Sequence, residues 1–408
     1  MKTFKRVLAV VLSLVMVLSL TCTAFAESDF STPPTERLRF DSKGNFRILQ
    51  LADCQDGMLP RYGMIEFIKK ALDKYKPDLV VFTGDNVGAV GTKLEAKMGI
   101  EAIIEPVAAA GVPFTFTFGN HDAENVSKDY QYSIYTSFSN CFAYDADPDL
   151  YGMGTHNLPI YASDGSKIAF NIWIFDSNMY NEEKGGYDHI HEDQLQWYVD
   201  ASNVLKAQNG GEAVPSIAFQ HIVPNEALDY ILSSDTEVAN GYYDKNSNKW
   251  YYLDPEYAEK GSVLMEHPCP GTIDSMQMEL FAQQGDVLGV FVGHDHVNDY
   301  VINTTLKNAK GESIDIVNTT GATFSSYGNE QERGCRIIDI SEKDTWTYKT
   351  QSLTFFDVMG DTEETRMMSY FSREIGWWYV AQVLAIIPEV GEALSNGFLK
   401  LVYTLAHL

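Results

Sequence analysis

Five short apolar runs in this chain of 408 residues each stop at residues able to bind a metal ion or move a proton. The runs Phe46 to Ala52, Asp78 to Thr83, Val112 to Phe118, Ser216 to Gln220 and Val287 to Val292 are followed by polar clusters. In order, these are Asp53-Cys54-Gln55, Gly84-Asp85-Asn86, Gly119-Asn120-His121-Asp122, His221 and Gly293-His294-Asp295-His296. The clusters are rich in Asp, Asn and His, and no Ser or Cys nucleophile stands beside a fixed base. Carboxylates, imidazoles and amide oxygens suffice for two divalent cations that share one carboxylate. That arrangement clamps both the attacking and the leaving oxygen of a phosphoryl group. Any one cluster is weak evidence, because a Gly-Asp after a strand is commonly a turn and a lone His is commonly a satisfied core residue. Five in order, each after its own apolar run, are not what turns alone produce.

The runs themselves are short and rich in β-branched and aromatic residues, which predicts strands with every cluster at a carboxyl end. Helical periodicity fills the intervals: Met64 to Tyr75 before Pro77, Leu94 to Glu105 before Pro106, Glu192 to Ala207, and Asp274 to Gln284. Strands alternating with helices predict an α/β fold whose sheet is covered on both faces. In such folds ligands sit just beyond the strand carboxyl ends, so one site can gather residues from Asp53 to His296. Strand alternation turns Cys54 away from Asp53 and Gln55, toward the core.

Composition narrows the setting. With 45% hydrophobic and 21% charged residues the chain can bury a large core, which excludes a disordered protein or a coiled coil. Asp and Glu number 56 against 30 Lys and Arg, for a net charge of −26. Such a surface repels a polyphosphate backbone, so nucleic acid is not expected as the main partner. Residues 1–26 predict a cleaved signal peptide: Lys2, Lys5 and Arg6 precede the apolar run Val7 to Leu20, and Ala24-Phe25-Ala26 fits a small-x-small cleavage site. The mature protein is then secreted or extracytoplasmic and begins at Glu27. Cys54, Cys141, Cys269 and Cys335 remain, either as two disulfides in one of three pairings or as reduced, buried hydrophobes.

The ordered set Asp53-x-Gln55, Gly84-Asp85-Asn86, Gly119-Asn120-His121-Asp122, His221 and Gly293-His294-Asp295-His296 resembles the calcineurin-like metallophosphoesterase family. Leu38-Arg39-Phe40, Gly44 through Asp53, and Gly293 through Asp299 are similar to its purple-acid-phosphatase-like branch of plants and fungi. The resemblance implies a four-layer α-β-β-α sandwich over residues 27–355, followed by an apolar helical segment over 356–408. It also implies a secreted enzyme that hydrolyses phosphate esters, monoesters above diesters, by attack of a metal-bound hydroxide. Two divalent ions, Mn, Mg, Zn or Fe, would be its cofactors and a small phosphorylated molecule its substrate. Carried over residue by residue, Asp53, Gln55, Asp85 and His296 hold one metal. Asp85 bridges to a second metal, which Asn120, His221 and His294 complete. His121 stands beside the phosphate, and Asp122 holds its other ring nitrogen. A phosphodiesterase of the same fold, or a surface binding protein with a degraded first metal site, are the alternatives.

Two positions depart from the pattern. Gln55 stands where the family usually has His, and its neutral carbonyl oxygen favours a hard ion such as Mn²⁺ or Mg²⁺. Gly88 stands where purple enzymes carry the iron-binding Tyr, so a colourless centre is expected. His156 and His191, in loops expected to overhang the site, are candidate substrate contacts, with His189 beside them. Tyr242 to Tyr252 predicts an aromatic hairpin turning at Asn246-Ser247-Asn248. The apolar runs around Trp377 to Ile387 and Phe398 to Leu405 predict a helical hairpin, docked on the core or lying at a membrane or cell-wall surface.

Overall fold

The computed structural model describes residues 32–329 and 332–374. In chain order the strands are β1 (Leu38–Arg39), β2 (Asn45–Leu51), β3 (Leu79–Thr83), β4 (Phe114–Thr117), β5 (His156–Tyr161), β6 (Ile168–Ile174) and β7 (Ser216–Phe219). They continue with β8 (Ile231–Ser234), β9 (Tyr242–Asp244), β10 (Lys249–Leu253), β11 (Val287–Val292), β12 (Tyr300–Lys307), β13 (Ser313–Asn318), β14 (Gly334–Ser341) and β15 (Asp344–Thr354). The helices are α1 (Tyr62–Tyr75), α2 (Lys93–Ala109), α3 (Lys128–Tyr135), α4 (Glu192–Gln208), α5 (Gln277–Gln284), α6 (Phe355–Met359) and α7 (Glu363–Glu374).

Two large sheets result. One has five strands in the order β15-β14-β2-β3-β4, and the other seven in the order β1-β5-β6-β7-β11-β13-β12. The centre of each is parallel, β2-β3-β4 and β6-β7-β11-β13, which points the strand carboxyl ends the same way within each sheet. Period-two alternation then divides the side chains. Ile48, Leu79, Val81 and Ile338 of the first sheet meet Phe170, Ile172, Ile217, Phe219 and Phe291 of the second in one buried cluster between the sheets. The opposite residues of the second sheet, Trp173, Ala218, Val290 and Ile316, pack with Leu195 and Tyr198 of α4 and Phe281 of α5. On the first sheet's side, α1 buries the stripe Met64, Phe67, Ile68, Ala71 and Leu72. The four-layer α-β-β-α sandwich that the family resemblance implies is therefore the fold, whereas the alternating pattern by itself predicts only an α/β sheet covered on both faces.

Local chemistry moves two helix ends. Helix α2 begins at Thr92, whose hydroxyl accepts the Glu95 N–H at 3.3 Å, and runs through Pro106 to Ala109. Pro106 lies in the last turn, where its missing N–H forfeits one bond and its carbonyl still accepts from Ala110 at 3.1 Å. Helix α5 starts three residues later than the periodicity suggests. Met276 is left-handed there (φ 57°), with its N–H tied to the Asp274 carboxylate at 2.9 Å.

Strands β9 and β10 pair around Asn246-Ser247-Asn248 as the expected aromatic hairpin, extended by β8. All four described cysteines are free. After β15, α6 and α7 return to α1: Phe355 packs on Phe67 with centroids 5.8 Å apart, and Ser372 Oγ accepts the Gly63 N–H at 2.8 Å. The expected signal peptide and the apolar runs beyond Glu374 lie outside the described residues. Among the described residues no helix is long and apolar enough to cross a membrane.

Candidate metal centre

Residues from both sheets converge at the carboxyl ends of β2, β3, β4, β7 and β11. The chain leaves β2 and β3 through left-handed turns at Asp53 (φ 50°) and Asp85 (φ 47°), a conformation that Asp tolerates better than most residues. Both carboxylates are buried there. Gly119 permits the closest approach: a Cβ at that position would lie 2.3 Å from both the backbone nitrogen and Oδ1 of Asp85. Hydrogen bonds stitch the two sheets together underneath. Gln50 Nε2 donates to the Val292 carbonyl at 3.1 Å, and its oxygen accepts from Thr319 Oγ1 at 2.8 Å.

Two sets of donor atoms form, and Asp85 belongs to both. Asp85, His221 and His294 make one set and Asp53, Asp85 and His296 the other, with donor atoms in each within 4.8 Å of one another. Backbone carbonyls fix the histidine rings. His221 Nδ1 donates to Thr83 O and His296 Nδ1 to Tyr327 O, each at 2.9 Å, so both Nε2 atoms face the centre. From there His221 Nε2 is 3.4 Å from Asp85 Oδ2, and His296 Nε2 is 3.4 Å from Asp53 Oδ1. His294, left-handed at φ 72°, has a buried Nε2 with no hydrogen-bond partner in the protein. An unpartnered imidazole nitrogen is costly unless a cation or water takes its lone pair, so the donor set fits a metal centre. Asn120 Oδ1 lies 3.1 Å from His221 Nε2, on the same side. Gln55 is also present, but with its amide nitrogen donating to Asp85 Oδ2 at 2.9 Å. Metal ligation by Gln55 needs the amide turned over.

Burial and mutual charge set the electrostatics. Burial alone would raise the Asp85 carboxyl, yet the charge and hydrogen bond of His221 outweigh it and hold Asp85 well below the usual carboxylate range. Burial likewise opposes charge on His221, but Asp85 wins and raises it to about 10. Burial and the neighbouring His221 outweigh the pull of Asp85 on His294 and lower it to about 3, which keeps its nitrogen free of a proton.

Two sequence expectations require correction. Asp122 does not hold the His121 ring. Its buried carboxylate accepts the N–H groups of Asn86 at 2.9 Å, Val87 at 3.0 Å and Gly119 at 2.7 Å, closing the turns that carry Asp85 and Asn120. Glu124 takes the expected role: its Oε1 lies 2.8 Å from His121 Nδ1 and also accepts from Tyr180 OH at 2.9 Å. Tyr180 OH in turn accepts from Asn120 Nδ2 at 3.1 Å, so one acid positions both His121 and Asn120. The Glu at the third position after His121 was the only sequence signal for this, and it is weak outside a helix. On the catalytic role that the resemblance implies for His121, Glu124→Gln should lower turnover roughly tenfold, as loss of an orienting partner commonly does, with metal content unchanged. Turnover equal to the wild type would remove Glu124 from the machinery.

His156 is not a substrate contact. It is fully buried at the start of β5, with Nε2 2.8 Å from Thr115 Oγ1 and Nδ1 2.7 Å from the Gly154 carbonyl. Burial lowers its pKa from 6.5 to about 4. A histidine held neutral in the fold contributes stability that is complete above pH 6.5 and is lost as the pH falls toward 4. The full loss is about 3 kcal/mol. In urea unfolding, His156→Gln should flatten the fall in stability over that window, and an unchanged slope would show that another group titrates. His191 belongs to neither donor set; it packs against Asp188 and Tyr151 at the start of α4.

Aromatic residues that the motifs did not flag complete the rim. Tyr187 meets the His294 ring edge-on at 4.3 Å and stacks on Tyr180 at 6.0 Å, while Tyr327 stacks on His296 at 4.1 Å. Gly88 adjoins the other departure from the purple pattern, since a Cβ there would lie 2.9 Å from Gln55 Cβ.

Comparison with known proteins agrees with this geometry. The chain is 25% identical over 346 residues to "Probable inactive purple acid phosphatase 14" of Arabidopsis thaliana, covering 76% of this chain and 78% of that one. It is 28% identical over 350 residues to "Probable inactive purple acid phosphatase 29" of the same plant, covering 77% and 82%. "Phosphatase DCR2" of Saccharomyces cerevisiae is 26% identical over 296 residues, covering 65% of this chain and 46% of its own. The profile of the calcineurin-like phosphoesterases matches residues 46–298, the span that holds both donor sets, and the chain belongs to that family.

Proposed function

We propose that this chain is an exported phosphoesterase that works with two divalent cations and prefers phosphate monoesters. The observation that carries the reading is the pair of donor sets sharing Asp85, with His294 Nε2 unpartnered between them and the aromatic rim. Bound there, two divalent cations would activate a water and neutralise charge on the phosphoryl oxygens.

The chain's own residues do the rest. Asp53, Asp85, Asn120, His221, His294 and His296 hold the centre, with Gln55 contributing its oxygen after the amide turns. His121 stands at the edge of the centre with a side chain 43% exposed, anchored through its own backbone N–H to Asp85 Oδ1 at 2.8 Å. Its ring is free to meet the phosphate and to protonate the ester oxygen as the P–O bond breaks. One water is consumed, and the alcohol leaves with the proton. The monoester preference rests on the likeness to the purple-acid-phosphatase branch, export on residues 1–26, and the hard-ion preference for Mn²⁺ or Mg²⁺ on Gln55.

The test is metal content and hydrolysis on the same purified mature protein, chelated and then resupplied with Mn²⁺, Mg²⁺ or Zn²⁺. Two equivalents of metal and faster hydrolysis of an aryl monoester than of its diester are expected. Faster diester hydrolysis would identify a phosphodiesterase.

A second reading, a non-catalytic binding protein, has two supports: the names of the two plant relatives, and the Gln55 amide nitrogen turned toward Asp85. One equivalent of metal or none, without hydrolysis under any supplement, would establish it. Gln55→His should raise affinity at the Asp53 side if position 55 is a ligand, and calorimetry showing unchanged affinity would exclude it.

A further inference from the structure

The connection between β6 and α4 carries a second set of metal-binding groups, outside the dinuclear centre. It folds back on itself: Tyr180 bridges to Tyr187, the Asn181 N–H donates to Gly186 O at 3.0 Å, and the Asp188 N–H to Met179 O at 3.1 Å. This places Asp188, buried, at the base of a notch between two histidines. His189 Nδ1 lies 2.9 Å from Asp188 Oδ1, and His191 Nε2 lies 3.2 Å from both carboxylate oxygens. The two imidazole rings stack at 4.4 Å and 20°, so their nitrogens present themselves side by side. Tyr151 supports the other face of His191 at 3.6 Å, and its own N–H is tied to Asp193 Oδ2 at 2.7 Å. Asn181 Nδ2 steadies Asp188 Oδ1 at 3.3 Å.

We propose that Asp188, His189 and His191 form a third cation site, of zinc class, that pins this connection against the dinuclear centre. The donor set is two imidazole nitrogens and one carboxylate, a combination suited to Zn²⁺ and poorly suited to Mg²⁺ or Ca²⁺. The spacing agrees. Tetrahedral bonds of about 2.0–2.1 Å separate neighbouring donor atoms by about 3.3 Å, close to the contacts found here. All three donor atoms lie within 4.8 Å of one another. The histidine side chains are 15% and 26% exposed, which leaves room for water to complete the coordination. A cation held there fixes the residue after Tyr187, the ring that meets His294 edge-on. Zinc at this site therefore stiffens one wall of the phosphate-ester cleft without touching the reacting atoms.

Two variants test it by zinc analysis after equilibration with Zn²⁺ in excess Mg²⁺, with circular dichroism as the check on folding. His191→Phe keeps the stack on Tyr151 and His189 but removes a donor nitrogen, and His189→Gln removes the other. Each should carry one zinc fewer per chain than the wild type and lose part of the zinc-induced rise in Tm. Because the readout is the difference from the wild type, it stands whether the wild-type total is three, two or one. A wild-type total too low for a dinuclear centre would count against the proposed function alone. Should one variant fail to fold, the other decides. A folded variant with the wild type's zinc content and Tm rise overturns the proposal and leaves Asp188 as a shared hydrogen-bond acceptor for two histidines.

Discussion

Asp85→Asn is expected to lower phosphate-ester turnover by roughly a thousandfold or more and to strip metal from both halves of the centre. Asp85 is the only residue common to both donor sets. It also accepts the His121 backbone N–H at 2.8 Å and the Gln55 amide at 2.9 Å, so position, charge and bridging all depend on one carboxylate. Asn is close in shape and tolerates the left-handed backbone at φ 47°, so the fold should persist while the charge is lost. Its amide NH₂ would also face His221 Nε2 or the cation that Asp85 otherwise attracts. Metal analysis beside steady-state kinetics reads both consequences. A variant that retains two equivalents and wild-type turnover would mean that the shared carboxylate does not organise the centre.

His121→Gln separates chemistry from metal binding. The main-chain N–H of residue 121 still reaches Asp85 in this variant, while the ring's hydrogen bond is to Glu124, which belongs to neither donor set. Turnover should fall by on the order of 10²–10³ with metal content unchanged, the size expected for loss of a proton donor or a charge-stabilising group at the transition state. Most of the loss should appear in kcat. The effect should exceed the roughly tenfold loss expected for Glu124→Gln, because Glu124 only orients the ring. Metal loss in step with turnover would instead make His121 part of the metal-holding framework.

Much of this was legible in the chain because the relevant physics is local. An apolar run that stops at Asp or His is a strand end whatever surrounds it, and parallel strands bring such ends to one edge. That reasoning located Asp53, Asp85, Asn120, His221, His294 and His296, which the structure brings together from both sheets. Helix ends followed equally local rules except where a single residue overrode them, as at Met276. The partner of His121 was not legible. Asp122 is adjacent and acidic, but three N–H groups from two other turns claim its carboxylate, and only the assembled fold supplies them.

His156 makes the same point from the opposite direction. In sequence it is a histidine beside glycine and threonine in a polar stretch, and it reads as an accessible loop residue. Thr115, on a strand of the other sheet, provides the hydroxyl that lets it be buried. The sequence by itself determined the α/β class, the strand-end donors and their order, because backbone periodicity and strand-end polarity act over a few residues. Only the tertiary structure decided which acid orients His121, that His156 belongs to the core, and that Asp188, His189 and His191 meet in one notch. Those outcomes depend on side-chain directions and on hydrogen-bond partners far away in the chain, which no local pattern encodes.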